Sequence, residues 1–125
     1  MTLFKVDVHS KKVGFFIVSI SGSLDSEHYL ELEEKVLPII EPATKVILLD
    51  LKELSYISSM GIGSLLKIKK AVEANQGKLM LANLQPQIKK VFDIIKALPA
   101  EIMFTSVEEA DAYLSSIQKN QPEKG

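Results

Sequence analysis

The sequence predicts one α/β domain built on a mixed, mostly parallel sheet with an antiparallel edge, in the order ββαβαβαβα. Three observations predict it. Two strand-like segments open the chain with only a short polar link between them. Residues 46–51 and 79–84 are nearly unbroken apolar runs of strand length. Around these runs, apolar residues recur at helical spacing. Strands that alternate with helices after an initial hairpin imply parallel pairing through right-handed crossovers. The count is about five strands and about four helices.

Residues 3–8 read as the first strand, with Phe4, Val6 and Val8 on its apolar face. His9-Ser10-Lys11-Lys12 reads as the polar turn. Residues 13–20, rich in Phe, Val and Ile, form the second strand, which ends at Ser21-Gly22-Ser23. Asp25 or Ser26 then opens a helix, because either side chain can accept from the free amides of a first turn. Tyr29, Leu32 and Val36 make its apolar stripe, and Pro38 and Pro42 bound its end. The run 46–51 suits a central strand covered on both faces. A long helix follows over 59–75 and stops at Gln76-Gly77, with Gly77 free to take a left-handed cap. After the strand 79–84, Pro86 suits a first helical position. Ile88, Val91, Phe92 and Ile95 then mark the cleanest helical face in the chain. Ile102-Met103-Phe104 is a short strand. Ser106 to Glu109 has capping-box spacing, and Val107, Ala110, Leu114 and Ile117 line a last helix. The domain is expected over 1–117, with a polar tail at 118–125.

Composition narrows the class. The chain has 125 residues, the usual size of one domain. It has no cysteine, which excludes disulfides and thiolate metal sites. Its net charge is −1, with both signs mixed along the chain, unlike the clustered basic surface that binds nucleic acid. No apolar run approaches the ~20 residues of a membrane span, and the first residues alternate in polarity where a signal peptide would be continuously apolar. A soluble cytoplasmic domain is expected.

One segment conflicts with its own element. Ser58-Ser59-Met60-Gly61-Ile62-Gly63 should start a helix, yet it holds two glycines. Each costs about 0.5–1 kcal/mol relative to alanine in a helix. A structural account has Ser58 or Ser59 capping the helix and the glycines packing it onto the strand at 49–51. A functional account adds two hydroxyls and bare backbone at a positive helix end, which tolerates a phosphate. A phosphoserine there would add roughly −1.5 to −2 charges.

The stretch Asp50-Leu51-Lys52-Glu53-Leu54-Ser55-Tyr56-Ile57-Ser58-Ser59-Met60-Gly61-Ile62-Gly63-Ser64-Leu65-Leu66 resembles the signature segment of the STAS family of anti-sigma factor antagonists. Gly22-Ser23-Leu24-Asp25 is similar to that family's turn before its first helix. Phe104-Thr105-Ser106-Val107-Glu108-Glu109-Ala110 is similar to its last strand-to-helix joint. The resemblance spans about residues 3–117 and implies the STAS fold. It implies binding to an anti-sigma factor, often a serine kinase, so that a sigma factor is freed. It implies a partner surface at Ser58, Ser59, Met60, Gly61 and Ile62, extended by Leu66, Ser23 and Asp25. It needs no cofactor, because ATP would belong to the partner. Alignment on Gly61 puts Met60 where regulated members carry the phosphorylated serine. The site is then either silent or served by Ser59, with Ser58 as second choice.

Other signals carry less. His9 and His28 lack metal-ligand companions at helical spacing. Gly61-Ile62-Gly63 lacks the rest of a phosphate-binding fingerprint. No serine has a local His and Asp arrangement for nucleophilic catalysis, so no enzyme is expected. An alternative function is a STAS scaffold or a transporter-associated regulatory subunit without phosphorylation control. Self-association is left open.

Overall fold

The structure, a computed structural model, describes residues 3–96 and 98–120. β1 (Lys5–Lys12) and β2 (Phe15–Leu24) form an antiparallel hairpin. α1 (Tyr29–Val36) leads through a 3-10 turn at Leu37–Ile39 to β3 (Val46–Asp50). β4 (Leu54–Ile57), α2 (Ser59–Ala74) and β5 (Lys78–Ala82) follow. α3 (Pro86–Ile95), a 3-10 turn at Ala100–Ile102, β6 (Met103–Phe104) and α4 (Val107–Asn120) complete the described residues. The strand order is β1-β2-β3-β5-β6, and every pair but the first is parallel.

Two cores lie on the two faces of this sheet. The larger joins Leu32 and Val36 of α1, Leu65, Ile68 and Val72 of α2, and Ile88 and Phe92 of α3 to Val18, Ile47, Leu49 and Leu81. The smaller joins Ala110 and Leu114 of α4 to Phe15, Val46, Leu48 and Met80. The unbroken apolar run of β3 is explained by this double cover: Leu48 and Leu49 point to opposite cores. Leu65, Ile68 and Val72 are fully buried. Each contributes about 1.5–3 kcal/mol, which outweighs the cost of two glycines in α2.

Several expectations need correction. Among the described residues the sheet has six strands, against an expected count of about five. β4 is only four residues long and pairs with the far end of β2, Gly22 against Leu54, Ser23 against Tyr56 and Leu24 against Ile57. β2 therefore carries β3 along one half of its edge and β4 along the other. The hairpin turn is Val13-Gly14, not residues 9–12, which belong to β1. An edge strand tolerates polar residues because one side meets solvent. Gly14 has φ +78°, and a Cβ there would lie 2.5 Å from the Ala43 carbonyl oxygen. α1 starts at Tyr29, later than Asp25 or Ser26. At the end of α2, Gln76 takes the left-handed conformation (φ 62°) rather than Gly77. Gly77 is instead held by space, since a Cβ would meet Val72 Cγ2 and two carbonyl oxygens within 2.9 Å. Ile95 is exposed, although it shares the predicted apolar face of α3 with the buried Ile88 and Phe92. α4 continues to Asn120, past the boundary expected at 117. Residues 121–125 of the expected tail lie outside the described residues.

Candidate functional site

The end of β2 and the start of α2 are built against each other. Ser58 leaves β4 in an extended conformation, and its amide donates to the Leu24 carbonyl at 2.9 Å. Its hydroxyl accepts from the Gly61 amide at 3.3 Å and caps α2. Gly61 then faces the chain it has just been tied to. A Cβ on Gly61 would lie 2.5 Å from the Leu24 carbonyl oxygen and 2.9 Å from Ile57 Cγ1. The tight packing foreseen for the glycines is real for Gly61, but its partners are Leu24 and Ile57 rather than residues 49–51. Gly63 differs: nothing lies within 4 Å of the place a Cβ would take.

The turn 22–25 is held from three sides. Gly22, at φ +89°, donates its amide to the Glu53 carbonyl at 3.0 Å and accepts from Ser55 Oγ at 3.1 Å. A Cβ on Gly22 would reach the Phe4 Cα at 3.0 Å, so the chain start lies directly over the turn. Asp25 Oδ1 accepts from the Glu27 amide at 3.0 Å, a local turn that displaces the helix start to Tyr29. His28 Nδ1 lies 2.9 Å from Asp25 Oδ1 and 3.1 Å from the Ser23 carbonyl oxygen, and its ring stacks on Phe4 at 4.6 Å. As Ser23 pairs with Tyr56 in the sheet, the two sequence motifs meet side by side.

The inner flank of α2 is latched to α1. Ser64 is buried, and its hydroxyl donates to Glu33 Oε2 at 2.6 Å. Lys67 Nζ donates to Glu33 Oε1 at 3.0 Å. Ser64 chiefly, with help from Lys67 and against the effect of burial, holds the Glu33 carboxyl below its ordinary value. Asp50 has a structural part as well: it accepts from Asn83 Nδ2 at 3.0 Å and from the Lys52 amide at 3.2 Å.

The site residues expected from sequence divide accordingly. Ser59 and Met60 face outward, Met60 at 45% exposure. Ser58, Ser23 and Asp25 are half-buried, and the Ser58 hydroxyl is committed to the cap. Gly61 and Ile62 are buried, so neither presents the exposed face that a partner surface requires. Leu66 is half-buried and packs against the core. Tyr56, within the signature segment but outside the expected partner surface, is 55% exposed. Its signal was available, because Leu54 and Ile57 are the buried residues of β4 and leave Ser55 and Tyr56 outside.

The arrangement is an exposed surface: an outward stripe of Ser59, Met60 and Gly63 along one helix start, with Tyr56 and the turn 22–25 beside it. The sequence profile of the STAS domain matches residues 8–110. The chain belongs to the STAS domain family. BtrV of Bordetella bronchiseptica, whose name assigns it provisionally to the anti-sigma factor antagonists, is 31% identical over 94 residues, covering 75% of this chain and 76% of BtrV. The anti-sigma-B factor antagonist of Staphylococcus aureus is 31% identical over 80 residues, covering 64% of this chain and 74% of that protein. The phosphorylated form of the Bacillus cell fate determinant SpoIIAA shares the fold with a TM-score of 0.72 at 24% identity, over 88% of this chain and 99% of that one. The expected family and fold are thus met. In this STAS domain the third motif is a helix cap: Ser106 Oγ accepts from the Glu109 amide at 3.0 Å, and Glu109 Oε1 accepts from the Thr105 amide at 3.1 Å. No helix among the described residues is long and apolar enough to cross a membrane.

Proposed function

We propose that this STAS domain is an anti-sigma factor antagonist that binds its partner through the outward stripe of α2, Tyr56 and the turn 22–25. The observation that carries this reading is Gly63. No neighbour requires a glycine there, yet the helix gives up about 0.5–1 kcal/mol to keep one. Bare backbone on an exposed helix start lets another chain come close. Met60 and Tyr56 add apolar surface beside it, and methionine adapts to a partner's shape. The partner is an anti-sigma factor, of the serine-kinase kind that the family resemblance implies. Binding it frees a sigma factor, and the cytoplasm is the compartment such a role requires. The domain itself performs no chemistry and holds no cofactor.

Met60 cannot accept a phosphate, and the Ser58 hydroxyl is engaged in the cap. Ser59 is the exposed hydroxyl of this turn, one residue before the family's acceptor position. We read the switch as silent, with binding independent of phosphorylation. Incubation with the cognate anti-sigma kinase and ATP, followed by mass spectrometry, tests this: phosphate on Ser59 overturns the silent reading. For the surface itself, Met60→Asp buries an unpaired charge on binding and should weaken affinity by about tenfold or more. Unchanged affinity in a folded Met60→Asp protein would remove α2 from the interface.

A further inference from the structure

We propose that the free edge of β5 is a second docking surface, which takes an extended segment of another polypeptide as an added strand. β6 pairs with β5 only through Leu81 with Met103 and Ala82 with Phe104. Lys78, Leu79 and Met80 pair with β3 on one side. Among the described residues no strand pairs with them on the other. A strand edge presents unpaired backbone N–H and C=O groups, a template for a further strand.

A cavity of about 320 Å³ lies along this edge. Its size is at the low end of ligand pockets and suits a short stretch of chain. Its walls come from the two opposite helix layers, Glu73 near the end of α2 and Tyr113 on α4, so it is a slot in line with the sheet. Ile102 and Phe104 also line it. The Phe104 and Tyr113 rings pack at 5.3 Å and form an aromatic wall. Strand addition draws affinity from main-chain hydrogen bonds and specificity from side-chain pockets. An apolar side chain fits against the aromatic wall.

Charge selects the rest of the occupant. Glu101 lines the slot and has no ion-pair partner among the described residues. Glu73 is shared with Lys69, and the Lys78 ammonium lies 5.9 Å from the centre of the Tyr113 ring. A segment that alternates apolar and basic residues fits this mouth. Glu73 stands about 20 Å from Met60 along α2, at 1.5 Å per residue. The slot therefore remains open when the start of α2 is engaged.

The test is an NMR titration of the isotope-labelled full chain with the capped peptide acetyl-Val-Arg-Val-Arg-Val-amide. Shifts confined to the amides of Lys78, Leu79 and Met80 and to residues 102–104 are expected. N-methylation of the central valine should abolish them. Replacing both arginines with glutamate, or making Glu101→Lys, should weaken binding about fivefold, the upper end for an exposed ion pair. Met60→Asp should leave the titration unchanged, which separates this surface from the first. Absence of shifts at millimolar peptide, shifts elsewhere, or equal binding of the N-methylated peptide would overturn strand addition. Concentration-dependent shifts of the same amides without peptide would assign the edge to a second copy of the chain and overturn the proposal equally.

Discussion

The inner and outer flanks of the first turns of α2 can be compared residue for residue. On the inner flank, Gly61 touches backbone, Ile62 and Leu65 enter the core, and Ser64 is spent on Glu33. Every group there has a named partner. On the outer flank, Ser59, Met60 and Gly63 face solvent, and a Cβ on Gly63 would project into open space. The two glycines look alike in sequence and are kept for opposite reasons. One is required by the fold. The other costs the fold stability, which directs attention to what meets it from outside.

Mutations can break or sharpen this contrast. Gly61→Ala should have the largest effect, a loss of about 3 kcal/mol, because the Leu24 backbone carbonyl and the buried Leu24 and Ile57 side chains all block the new methyl. Urea unfolding measures it, and a neutral result would mean that α2 and β2 separate easily.

Ser64→Ala comes next, at about 1.5 kcal/mol, because Glu33 loses its shortest hydrogen bond. It should also change the pH dependence. Glu33 titrates lower in the folded state than its ordinary value of 4.5. The unfolded chain therefore takes up the proton first as pH falls. The latch contributes fully above about pH 4.5 and is lost as pH falls through the lower folded value. Urea midpoints of the wild type should drop below that pH, and Ser64→Ala should flatten the drop. Parallel curves for both proteins would assign acid sensitivity elsewhere.

The smallest change is Gly63→Ala, a gain of about 0.5–1 kcal/mol with weaker partner binding. A gain in stability with unchanged binding would leave Gly63 without a role at the docking surface.

Much of the fold was legible because its signals are local. Pro86 at a helix start, the apolar run 46–51, and a serine cap at Ser58 or Ser59 on a helix over 59–75 each depend on neighbours within a few residues. β4 was not legible in the same way. Leu54-Ser55-Tyr56-Ile57 is too short to carry a periodicity, and it becomes a strand only because β2 runs on past β3 and offers an edge. The late start of α1 has a similar cause. Asp25 could cap a helix, but its carboxylate is taken by the Glu27 amide and His28 under the packed chain start.

For the candidate site, the sequence by itself determined the family, the segment, and the loss of a hydroxyl at Met60. These are properties of residue identity and spacing, and folding does not alter them. Only the tertiary structure decided which residues of that segment face outward. It turned Ile62 and Gly61 into the core, brought Tyr56 beside Ser23, and left Gly63 bare. Facing depends on how α2 rolls against Ile57 and against Leu24, and Leu24 is far away in the chain and is brought there only by the pairing of β2 with β4.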